Sequence, residues 1–164
     1  MKKVISIFFI TILSVCFLFE GCGKMSDRDY VSKIIKLSLP QGATIVAKNT
    51  HSGFLGDGTY FAKITFSAVE IKPFLEKIKA NKWQPLPLKK DIDALLYGGT
   101  INGIEYADFL AKEVGMPKVK NGYWTFVDRN TEKSTELLER YSYNFDLAIF
   151  DTDTNTLYVY QLDT

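Results

Sequence analysis

The run Asp151-Thr152-Asp153-Thr154-Asn155 carries oxygen-bearing side chains at alternate positions, the spacing with which a loop wraps a hard cation such as calcium. Such a loop reserves its sixth place for glycine and its twelfth for a bidentate glutamate, and here those places hold Thr156 and Leu162. Asp, Asn and Thr also make tight turns, by bonding to their own backbone, so the run is predicted to be a hairpin turn. His51 is the single histidine, followed by Ser52 and soon by Asp57, the residue types of a nucleophilic triad. No G-x-S-x-G elbow accompanies them, and neighbours on a strand point to opposite faces, so His51 reads as a polar residue at a strand end. One histidine excludes a histidine-rich metal site. Asp91 with Asp93, and Glu105 with Asp108, supply the paired carboxylates a glycosidase uses. Both pairs stand in stretches read as helical with lysines nearby, the ordinary make-up of a solvated face. The enzymatic alternative these residues define is a hydrolase, cation-dependent in one form, using Asp151, Asp153 and His51.

Aromatic residues supply a different chemistry. Tyr158 and Tyr160 oppose Leu157 and Val159 on one predicted strand, while Trp124 and Phe126 oppose Tyr123 and Thr125 on another. Strands with large side chains on both faces need a second cover, or else offer tyrosine and tryptophan to a partner, as interface hot spots do. Tyr158, Tyr160 and Trp124, with Asp57 in the hairpin, are therefore the candidate binding residues. No cofactor is called for.

The elements that position them follow from periodicity. Ser26 and Asp27 can cap a helix whose apolar positions Tyr30, Val31, Ile34, Ile35 and Leu37 share a face, ended by Pro40-Gln41-Gly42. Residues 43–50 and 59–68 read as strands joined around Gly56-Asp57-Gly58, a hairpin signal. Residues 69–81 read as a helix, with Pro73 placed in its first turn. Pro85 and Pro87 make residues 83–88 an extended connector. Residues 91–97 and 103–114 suggest two short helices, and residues 123–128, 143–151 and 157–162 a three-strand meander. The predicted class is α+β: an antiparallel sheet of about five strands with helices packed on one face.

The chain opens with Lys2 and Lys3, an apolar stretch over residues 4–19, and Gly21 directly before Cys22, the order of parts in a secretory signal peptide. The stretch falls short of the roughly 20 apolar residues that span a bilayer. Phe19-Glu20-Gly21-Cys22 resembles the lipobox of bacterial lipoproteins: Gly21 and Cys22 match the pattern, and Phe19 and Glu20 stand where the family usually has leucine and a small or aliphatic residue. The resemblance implies cleavage before Cys22, a diacylglyceryl group on its sulfur, attachment to membrane lipid and a place on the extracytoplasmic face. Gly23 is not the aspartate that the family links to inner-membrane retention, which leaves the outer membrane open as an address in a cell with two membranes. The expected organisation is a signal peptide over residues 1–21, a short tether over 22–26 and a single domain over 27–164.

Residues 22–164 carry 18 basic and 18 acidic residues. This balance leaves no excess to neutralise phosphates, which argues against nucleic acid as a partner. Cys16 would leave with the leader and Cys22 would be acylated, so the folded part has no thiol for a disulfide, a nucleophile or a cysteine zinc site. Residues 51–58 and 157–164 also look like stretches of small bacterial lipoproteins, a likeness that implies no activity. The expected function is a non-enzymatic, membrane-anchored module of the cell envelope that binds a protein or an envelope component.

Overall fold

A computed structural model describes residues 25–51, 56–131 and 135–164; Cys22 and the leader lie outside the described residues, as does Ser52. The first helix, α1 (Asp27–Ile35), starts where Ser26 accepts the Asp29 N–H on its side chain at 3.2 Å, and it ends at Lys36 in the left-handed conformation. The expected hairpin follows as β1 (Thr44–Asn49) and β2 (Gly58–Thr65). Helix α2 (Ala68–Ala80) is opened by Ser67, whose backbone N–H and hydroxyl both donate to Glu70, at 3.1 and 2.6 Å. Pro73 sits inside α2 beyond the first turn, a correction to the sequence reading. Its ring is exposed, on the side away from the core residues Phe74 and Ile78.

The connector contributes a two-residue strand, β3 (Gln84–Pro85), before α3 (Lys90–Tyr97). Residues 103–114 are not one helix. Asn102 and Gly103 take positive φ values of 52° and 81° and turn a small hairpin, β4 (Gly99–Ile101) with β5 (Ile104–Tyr106), and only then comes α4 (Phe109–Val114). Asn-Gly is the dipeptide best suited to two consecutive positive φ angles, so this turn overrides the helical spacing. The meander is present as β6 (Gly122–Asp128), β7 (Asn144–Asp151) and β8 (Thr156–Asp163), with a 3₁₀ turn at Leu137–Glu139 before β7.

The α+β class with an antiparallel sheet holds. The main sheet has six strands in the order β1-β2-β8-β7-β6-β3, one more than the five expected, and β4-β5 form a separate pair. Residues directly opposite each other in the ladders share a face. One face gathers Tyr60, Ala62, Ile64, Leu157, Val159, Ala148 and Phe150, packed with Val31, Ile34 and Ile35 of α1 and Phe74 and Ile78 of α2. The other gathers Trp124, Phe145, Leu147, Ile149, Tyr158, Tyr160 and Leu162, packed with Ile92 and Leu96 of α3, Leu110 and Ala111 of α4, Met116 and Leu137. Helices therefore cover both faces of the sheet, not one, because apolar side chains alternate to both sides of β7 and β8.

The cover over the second face corrects the binding assignment. Tyr158 is 5 % exposed, Tyr160 1 % and Trp124 5 %, so these rings are core, not an exposed aromatic face. The Tyr160 hydroxyl is buried without a well-formed hydrogen bond, and burial pushes its pKa up against a weak polar contact with Thr59. Tyr160→Phe removes an unsatisfied polar group while keeping the ring, and its stability in urea unfolding should match or exceed the parent by about 1 kcal/mol. Tyr160→Ser should lose about 3–5 kcal/mol. A Phe variant weakened by more than roughly 1 kcal/mol would mean the hydroxyl is well bonded.

Candidate functional site

Polar side chains gather at the end of the sheet where β2 begins and β8 finishes. The register puts Asn49, Tyr60, Gln161 and Asp146 in one row across β1, β2, β8 and β7. One step further out, Gly58 lies between His51 and Asp163. Its φ is +151°, and a Cβ there would come within 2.5 Å of the His51 Cα, so only glycine fits beneath the histidine. Over this gap His51 Nε2 reaches Asp163 Oδ2 at 3.0 Å, while Nδ1 lies 2.7 Å from Asn49 Oδ1.

Arg129 is the centre of the cluster. Its Nη1 is 2.8 Å from Asp163 Oδ1 and its Nε donates to Asp146 Oδ1 at 2.9 Å, and Nη2 reaches the Phe145 and Leu162 carbonyls. Gln161 donates to the same Asp146 oxygen at 2.6 Å and accepts from the Tyr30 hydroxyl of α1. Tyr60 completes the link by donating to Asp27 at 3.2 Å, with its ring edge-on to Tyr30 at 4.6 Å. Burial pulls the Arg129 guanidinium down, but the bonds and charges of Asp163 and Asp146 outweigh it and leave it above its ordinary value. Burial first, then Asp163 and Asp146, raise the Tyr30 hydroxyl; burial first, then Asp27, raise that of Tyr60. The cluster thus ties α1, the β1–β2 connection and the ends of β6, β7 and β8 together, and its charged groups are engaged with one another.

The enzymatic alternative needs His51 beside Asp151 and Asp153, and the fold separates them. His51 meets Asp163 at one end of β8, whereas Asp151 pairs with Thr156 at the other, roughly 23 Å away at the rise of a strand. Asp151 instead makes the predicted turn: it accepts the Asp153 N–H at 2.8 Å and the Thr154 hydroxyl at 2.7 Å, and Asn155 takes φ +52°. Asp153 accepts from Asn121 at 2.8 Å. Among the described residues no group of three His, Cys, Asp or Glu is placed to hold a metal ion. Of the carboxylate pairs, Asp93 is bound to Lys118 at 2.8 Å and Asp91 accepts the Ile92 N–H, while Glu105 lies in β5 and Asp108 precedes α4, so they share no helical face.

Two surfaces among the described residues lie beside the candidate binding residues. Trp124, though buried, lines a cleft of about 420 Å³ with Lys82, Gln84, Lys89, Ile92, Thr125 and Phe126. The second surface lies beyond the reach of α3 and α4, where β1 and β2 expose Thr44, Val46, Lys48, Lys63 and Thr65 on one face, with Val46 67 % exposed. Asp57 is exposed at the neighbouring hairpin. Nothing local marks this strip in the sequence, because its exposure depends on where distant helices stop. Among the described residues no helix is long and apolar enough to cross a membrane. No family model matches the chain, and neither curated proteins nor solved structures yield a significant match.

Arg129→Met should leave Asp163 with only His51, and Asp146 with only Gln161, as side-chain partners and cost about 2 kcal/mol, read by urea unfolding, with Arg129→Lys recovering part of it. A loss below roughly 0.5 kcal/mol would mean the clamp is idle. The tyrosines give a pH signature. Burial pushes Tyr97 up to about 12 from an ordinary value of 10 and also raises Tyr30, Tyr60, Tyr143, Tyr158 and Tyr160. Above pH 10 the unfolded chain releases protons that the folded chain keeps, so stability must fall as pH rises from 10 towards 12. Melting temperature should drop steeply over that window while absorbance at ~295 nm shows tyrosinate lagging behind free tyrosine. A flat profile would contradict the burial of these hydroxyls.

Proposed function

We propose that the chain is an exported, lipid-anchored binding module of a bacterial envelope, held on the extracytoplasmic face by a diacylglyceryl group on Cys22. Its partner is a protein or an envelope component, and it performs no catalysis. The observation that carries the reading is the leader itself: two lysines, an apolar stretch over residues 4–19, then Gly21 and Cys22. The acyl chains contribute about 0.8 kcal/mol per buried methylene, and two chains hold where one holds only reversibly.

The domain suits such an anchor. Helix α1 begins at Asp27, so a tether of a few residues separates it from Cys22, and α1 is docked on the sheet through Val31 and Ile35 and by the Tyr30–Gln161 bond. The globule would therefore stand directly on the membrane, with the cluster around Arg129 at its lower end. Support for binding over catalysis comes from the Arg129 cluster, whose charges serve one another, and from the exposed strip on β1 and β2 that the helices leave bare.

Metabolic labelling with palmitate tests the anchor. Label should enter the parent chain and be absent from Cys22→Ser, which should keep its leader. An unlabelled parent chain with an intact leader in the cytosol would contradict the reading. Glu20→Ala should speed the appearance of the processed form, since a small residue suits that lipobox position. Affinity capture from intact membranes, with the lipidated chain as bait, tests the binding half of the proposal: a specific partner is expected, and none would remove it.

A further inference from the structure

Strand β1 ends the sheet on one side. Thr50 N–H donates to Thr59 O at 2.9 Å, which makes these two a hydrogen-bonded pair. Alternation along the ladder then turns the N–H and C=O of Thr44, Val46 and Lys48 towards β2, and those of Ile45, Ala47 and Asn49 outwards. Among the described residues no hydrogen bond reaches the outward backbone groups, whereas the Ala43 carbonyl just before them is taken by Arg28 at 2.8 Å. At the other end of the sheet the edge strand β3 is two residues long and contains Pro85. An open edge of this length either recruits a strand or needs protection against doing so.

Charge selects the strand. Neither β1 nor β2 contains a carboxylate, while two lysines stand exposed on the bare face, Lys48 on the edge strand itself and Lys63 one strand in, opposite Val46. Pairing β1 with the same strand of a second copy would crowd two Lys48 and two Lys63 onto one strip, which disfavours self-association. We infer that β1 takes up an extended, acidic segment of another protein as an added strand, with main-chain bonds to Ile45, Ala47 and Asn49 and carboxylates beside Lys48 and Lys63. The mode is strand addition: the ladder supplies affinity and the alternate side chains supply selectivity. This rests on the reading of the chain as a binding module and names the site and the chemistry of its partner.

The test pans a displayed random octapeptide library against the full-length chain in detergent micelles. Asp and Glu at alternate positions should be enriched at least about tenfold. Ala47→Pro removes an outward N–H that the sheet itself does not use, so the fold should survive and the enrichment should vanish. Lys48→Glu with Lys63→Glu, two exposed sites, should turn the preference to Lys and Arg, and this variant carries the test if the proline variant unfolds. Absence of acidic enrichment, enrichment that survives Ala47→Pro in folded protein, or a β1-dependent dimer in sedimentation would each overturn the inference. A membrane partner captured equally by the parent and by Ala47→Pro would leave the module reading standing and remove only the β1 site.

Discussion

The constraint on which the structure depends is that β8 must be dry on both faces. Every residue from Thr156 to Leu162 is buried, with Leu157 and Val159 turned to one side and Tyr158, Tyr160 and Leu162 to the other. An antiparallel sheet with one apolar face can leave the other to water, but a strand apolar on both cannot. Two covers are therefore required. Helices α1 and α2 supply one, and the short elements between Lys90 and Met116, with Leu137, supply the other. β7 shares the constraint through Ala148 and Phe150 on one side and Leu147 and Ile149 on the other.

Central burial also dictates where polar groups collect. Gln161 and Asp146 lie in a row that enters the sheet, and buried polar atoms must find partners. They find them in each other, in Arg129 and in Tyr30, so the need to satisfy Gln161 becomes a latch that fixes α1 against the sheet. The same accounting explains the bare strip. The second cover is built from short helices that pack over β6, β7 and β8, and it ends before β1, leaving Val46, Lys48 and Lys63 in water. The middle of the sheet holds the fold, and the outward backbone groups of β1 are left without hydrogen bonds among the described residues.

Local chemistry made much of this legible. Alternation in residues 59–66 gave the two faces of β2, Ser26 announced the start of α1, and the Asp151 turn was readable from its own side chains, whereas Ser67, which opens α2, lay inside the stretch read as strand. The second cover was harder, because residues 103–114 satisfy a helical spacing in part; the Asn102-Gly103 turn that breaks them was present in the sequence and outweighs that spacing. Burial of Tyr158 and Tyr160 was not readable, since alternation says that both faces carry large rings and not what covers them. The site at Arg129 was invisible for a different reason: His51 and Asp163 are 112 residues apart, and only the register of β2 on β8 brings them together.

Amide hydrogen exchange along β1 and β8 tests the central claim most directly, because it reads the dry centre and the open edge in one experiment. The account predicts that amides of β8 exchange only through global unfolding, and that in β1 the Ile45, Ala47 and Asn49 amides exchange rapidly while Val46 and Lys48 are protected. Uniform protection along β1, or exchange in β8 as fast as in the loops, would contradict it.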